Sequence, residues 1–125
     1  MTPRFLAGAA AVLVLTSACG SQSVKSSGKD DIARYVQTWG TDYDHTVCAQ
    51  WANSMTDAQR WTAAYEMLRD ARGGDTGIAA LPSDALVDRF KADISTRCAG
   101  TSHSAKAIPD AAGAAYQAGR AAYSR

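Results

Sequence analysis

The sequence predicts an all-α domain of four helices, or five short ones if the region from 32 to 55 divides. Three observations point there. Apolar residues recur at three- and four-residue spacing through most of the chain after residue 30, which is the period of one helical face. No segment alternates polar and apolar side chains with the period of two that a half-buried strand requires. Helix-start and helix-stop residues also punctuate the periodic runs.

The first periodic run carries Ile32, Tyr35, Val36 and Trp39, with Asp30 and Asp31 as N-caps. Gly40 interrupts it, Thr41 or Asp42 can restart it, and Val47, Cys48, Trp51 and Met55 continue an apolar stripe. One kinked helix and two short ones fit this pattern equally. Thr56-Asp-Ala-Gln59 is a capping box, in which a hydroxyl and an amide side chain satisfy opposite backbone N–H groups. It opens a helix bearing Trp61, Ala64, Tyr65, Leu68 and Ala71, expected to end at Gly73-Gly74. Leu81-Pro82-Ser83 signals the next start, and Leu86, Val87, Phe90, Ile94 and Cys98 line one face up to Gly100. Pro109-Asp110 begins an alanine-rich helix with Tyr116 and Tyr123 seven residues apart.

Residues 1–18 read differently. Arg4 supplies a positive charge, Phe5 to Leu15 is an eleven-residue apolar run, and small residues follow. That is the pattern of a secretory signal peptide, excluded from fold reasoning. The run is too short for a bilayer that needs about 20 residues. Leu15-Thr16-Ser17-Ala18-Cys19 resembles the bacterial lipoprotein processing motif, with Thr16 where leucine is commoner. The resemblance implies a diacylglycerol on Cys19 and cleavage just ahead of it. Ordinary cleavage after Ala18, leaving a free thiol, is the competing reading. With Cys19 acylated, the protein is expected at the cell membrane, lipid-anchored on its extracytoplasmic face. Residues 19–29 form a polar tether whose last ten residues, as a flexible coil, span roughly 16–19 Å. The helical domain then covers 30–125.

Assigning Cys19 to lipid leaves Cys48 and Cys98 as the available pair, and disulfides persist in oxidising compartments. A bridge closing about 50 residues is worth roughly 4 kcal/mol on the chain-entropy model; two buried free thiols are the alternative. It would tie the segment before the capping-box helix to the end of the Leu86–Cys98 helix, sandwiching the Trp61–Leu68 face. A cysteine followed three residues later by an aromatic (Cys48, Trp51), a middle helix, then a Pro-led helix ending in cysteine is similar to HdeA-type acid-stress chaperones. The resemblance covers about Thr46 to Gly100. It implies an acid-loosened domain offering Trp51, Trp61, Leu68 and Phe90 to unfolded clients.

Thirteen Lys and Arg stand against 12 Asp and Glu, and loss of Arg4 brings the two to parity. Balanced charge argues against a nucleic-acid partner, which calls for a basic face, so the membrane grip falls to the lipid anchor. No enzyme is expected. Asp42-Tyr43-Asp44-His45 gathers acid, phenol and imidazole, and His103 is the second histidine. Neither sits in a recognisable nucleophile or metal-ligand pattern, so a small hydrolase or metal-binding protein ranks last and no cofactor is assigned. The leading expectation is a helical interaction module of the cell envelope, contacting an envelope protein or a small apolar ligand. Trp39, Tyr43, Tyr116 and Tyr123 lie outside the disulfide-bounded region and are the candidate contact residues. That expectation requires a contiguous exposed apolar patch.

Overall fold

The computed structural model describes residues 32–77 and 80–125. The expected signal peptide, the expected lipidation at Cys19, the expected tether and the expected Asp30/Asp31 cap all fall outside the described residues. Among the described residues the domain is all-α, with five helices and one disulfide: α1 Cys48–Asn53, α2 Asp57–Thr76, α3 Asp84–Cys98, α4 Ile108–Ala118 and α5 Arg120–Tyr123. Two 3-10 turns, Tyr43–His45 and Thr101–His103, precede α1 and α4.

The strongest local signals fold as local physics dictates. The Thr56 hydroxyl accepts from the Gln59 N–H, and the Gln59 side chain accepts from the Thr56 N–H, at 3.2 and 2.9 Å. Ser83 caps α3 by accepting from the Leu86 N–H, and Pro109 sits in the first turn of α4, where its missing N–H costs nothing. Val87, Phe90, Ile94 and Cys98 form the buried face of α3.

Three expectations fail, each where tertiary contacts outweigh local pattern. Past Ile32 and Ala33 the first run leaves helix, and Ile32 and Val36 are 65% and 54% exposed. Instead of a helix, the segment is fixed by its side chains on α2. The Tyr35 ring lies 4.8 Å from Tyr65 and 5.7 Å from Trp61, Arg34 sits 3.9 Å over Trp61, and the Thr62 hydroxyl donates to the Arg34 carbonyl. The 32–55 region is thus neither one kinked helix nor two short ones: its named elements are the Tyr43–His45 3-10 turn and the single α-helix Cys48–Asn53. Thr46 and Val47 are extended because their backbone pairs with the segment entering α4. Cys48 N–H donates to Lys106 O and Ile108 N–H to Thr46 O, at 2.8 and 2.9 Å.

Gly73-Gly74 does not end α2. The helix continues to Thr76 and stops at Gly77, whose φ of +64° is the left-handed conformation that glycine reaches without a Cβ clash. Buried Arg72 and the engaged Asp75 hold the extra turn: Arg72 donates to the Ala80 and Arg125 carbonyls, and Asp75 accepts from Tyr116 and Arg120. Nor does the disulfide corner cap the Trp61–Leu68 face. Helix α1 packs chiefly on α3 and α4, and α4 fills the centre of the bundle against α2 and α3. Its small faces (Ala111, Ala112, Ala115) permit that close approach.

Candidate functional site

Cys48 and Cys98 are joined, with Cα atoms 4.9 Å apart. Both are buried, beside Trp51, whose indole N–H donates to Ser95 across the helix pair. The disulfide therefore closes a corner of the core.

The four candidate contact residues divide. Tyr116 and Tyr123 are 3% and 0% exposed, which removes them from any contact surface. Aromatic packing accounts for their burial: Tyr123 stands edge-on to Phe90 at 5.1 Å and stacks with Tyr116 at 6.1 Å. Each hydroxyl has a carboxylate partner, Asp75 for Tyr116 and Asp93 for Tyr123. Burial, then the Asp75 contact, raises the Tyr116 phenol above its ordinary value, so it stays a donor. Trp39 and Tyr43 are half-buried. The Trp39 indole donates to the Thr46 hydroxyl, which donates in turn to the Asp42 carbonyl. The Tyr43 hydroxyl is buried beside Glu66. Burial and the Glu66 charge push its pKa up, and burial raises the Glu66 carboxyl in turn.

Tyr43 walls an open groove of about 450 Å³. Met67, Phe90 and Ala112 give it an apolar floor, and Asp42, Asp44 and Asp70 give it an acidic rim. His45 shares the 3-10 turn with Asp44 but does not line this groove. Among the described residues no group of three or more His, Cys, Asp and Glu is placed to hold a metal ion.

A second groove, about 510 Å³, has the opposite charge. Arg89, Asp93 and Arg97 follow one another at four-residue spacing along one face of α3. His103 and Lys106 come from the following loop, and Ala115 and Gly119 from the end of α4. Sequence reasoning missed this groove. The helical spacing of Arg89 and Arg97 was visible, but only the fold sets Lys106 opposite them. Gly119 is required there, because a Cβ at that position would come within 2.4 Å of the Tyr123 ring.

No described helix is long and apolar enough to cross a membrane. The chain matches no protein-family model, no curated protein and no solved structure with which it was compared.

Proposed function

We propose that the chain is an extracytoplasmic lipoprotein, held to the cell membrane by an acylated Cys19, and that its helical domain is an interaction module. The observation that carries this reading is the Cys48–Cys98 bond. Such a bond persists most readily in an oxidising compartment, which supports export, and it uses both cysteines of the domain, leaving Cys19 for lipid. An acylated cysteine carries more than one chain, and two membrane signals suffice for stable anchoring. The contact surface in this reading is the Tyr43 groove. Its apolar floor and acidic rim suit a partner with an apolar side chain flanked by cations.

Palmitate labelling and intact mass spectrometry before and after reduction test the anchor. Label should enter the wild type and vanish in Cys19→Ser, with a two-dalton gain on reduction reporting the disulfide. Absence of label, with three alkylatable thiols, ends the proposal. For the module, Tyr43→Ala should abolish a membrane cross-link that Asp88→Asn, a change at an exposed residue that does not line the groove, preserves.

A second reading, an HdeA-like acid-stress chaperone, draws on the ion pairs. Lys91 on Asp57 and Arg120 on Asp75 hold those carboxyls below their usual range. Acid removes both attractions while the disulfide persists, the combination such a chaperone needs. Tryptophan emission and client aggregation followed from neutral pH to about pH 2 decide it; a lack of client protection throughout that range rejects this reading.

A further inference from the structure

Among the described lysines and arginines, five face a carboxylate: Arg34 with Asp84, Arg60 and Lys91 with Asp57, Arg69 with Asp70, and Arg120 with Asp75. Arg72 holds main-chain carbonyls. The four that remain, Arg89, Arg97, Lys106 and Arg125, have no carboxylate at ion-pair distance among the described residues. Three of them, Arg89, Arg97 and Lys106, line the same groove. Most of the described cations that lack a carboxylate partner thus stand on one concave wall.

We propose that this groove binds a phosphoryl-bearing anion. Its carboxylate, Asp93, accepts a hydrogen bond from the Tyr123 hydroxyl on the core side. Three cations against that one carboxylate leave two positive charges, enough to hold a phosphomonoester dianion or a phosphodiester monoanion. Arginine's planar fork matches phosphate oxygens bidentately, and lysine adds a point charge. A concave wall of one sign focuses the field and raises the local concentration of anions. Ala115 carries only a methyl and Gly119 no side chain, so the floor is open to the ligand, and His103 at the rim adds a ring nitrogen. The acidic Tyr43 groove, lined by Asp42, Asp44 and Asp70, repels the same ligand. The chemistry is shared by a soluble phosphate compound and an anionic phospholipid headgroup, and it holds whether or not Cys19 is acylated.

The test is an NMR titration of the isotope-labelled full-length protein. The probes are inorganic phosphate, water-soluble short-chain phosphatidylglycerol and phosphatidylcholine of the same chain length. Saturable shifts are expected at Arg97, His103 and Lys106, weakening as added salt screens the charges. Arg97→Gln combined with Lys106→Gln should reduce affinity at least about tenfold, whereas Arg69→Gln should leave it unchanged. Saturation by phosphate alone assigns a soluble ligand; saturation by phosphatidylglycerol assigns a headgroup; either supports the site. Three results overturn it: no saturable shift with either anion at millimolar concentration, undiminished binding by the double variant, or phosphatidylcholine binding as well as phosphatidylglycerol. A failed palmitate label with a positive titration would remove the anchor and leave this site standing.

Discussion

The two ends of α4 are fastened by different chemistry. At its N-terminal end the fastenings are covalent or between neutral groups. Thr46 and Cys48 exchange backbone hydrogen bonds with Ile108 and Lys106, Ala49 N–H donates to Ser104 O, and the Cys48–Cys98 bond locks the same corner. At its C-terminal end the fastenings are charged. Asp75 accepts from the Tyr116 hydroxyl and the Arg120 guanidinium, both at 2.9 Å, and Asp93 accepts from Tyr123. Arg72 reaches the carbonyls of Ala80 and Arg125. The first end is therefore sensitive to reductant and not weakened by acid, and the second is weakened by acid and insensitive to reductant. A domain built this way can loosen one end in acid while the other stays closed.

The largest expected effect breaks the covalent end. Cys48→Ala combined with Cys98→Ala should lower stability by about 4 kcal/mol in urea unfolding at neutral pH. A loss below about 1 kcal/mol would mean that the neighbouring backbone bonds hold this corner by themselves.

Next in size is a change at the charged end that leaves every charge in place. Gly119→Ala puts a methyl 2.4 Å from a ring carbon of Tyr123, and that ring is wedged against Phe90 and Tyr116. Overpacking of this kind costs about 1–3 kcal/mol, visible as a lower Tm. An unchanged Tm would show that the Tyr123 ring yields freely.

Acid sharpens the contrast. Arg120 and Lys91 depress the Asp75 and Asp57 carboxyls in the folded state. A depressed folded pKa gives stability that is present above the unfolded value, about 3.9 for aspartate, and is lost as pH falls through the folded value. Stability should stay level down to about pH 5 and then decline. Asp75→Asn should lower the plateau slightly and flatten the decline, with the disulfide intact throughout. An acid limb identical in Asp75→Asn and wild type would remove Asp75 from the account.

The smallest effect probes a charge near the neutral end. Tyr43 belongs to the turn packed against α4, and burial keeps the neighbouring Glu66 carboxyl above its usual range. Here the sign reverses: ionisation at neutral pH is a cost that disappears as pH falls through the raised value. Glu66→Gln should therefore raise stability at neutral pH, by at most about 0.5 kcal/mol because the site is largely solvated. A lower Tm would mean that Tyr43 depends on the ionised carboxylate.

Legibility in the sequence followed the range of the forces. The Thr56–Gln59 box, the Ser83 cap, the Pro109 start and the Val87–Cys98 face all depend on neighbours within one or two turns, and each formed as read. Helical order and the pairing of Cys48 with Cys98 were equally legible, the latter because the third cysteine had another assignment. Gly73-Gly74 misled because the helix end was set by Arg72 and Asp75 partners some forty or more residues away. Tyr116 and Tyr123 misled for a related reason. A tyrosine at helical spacing is amphipathic, and nothing local says that Asp75 and Asp93 will receive its hydroxyl. The basic groove needed both scales, a repeat along α3 and a loop folded back beside it.

By itself, then, the sequence determined that the domain is helical, where most helices begin, and which sulfurs could meet, because propensity, capping and periodicity are short-range. The tertiary structure alone decided which aromatics are buried, where α2 stops and where the unpaired cations gather. Those outcomes depend on burial and charge pairing between residues far apart in the chain, whose energies exist only once the helices have packed.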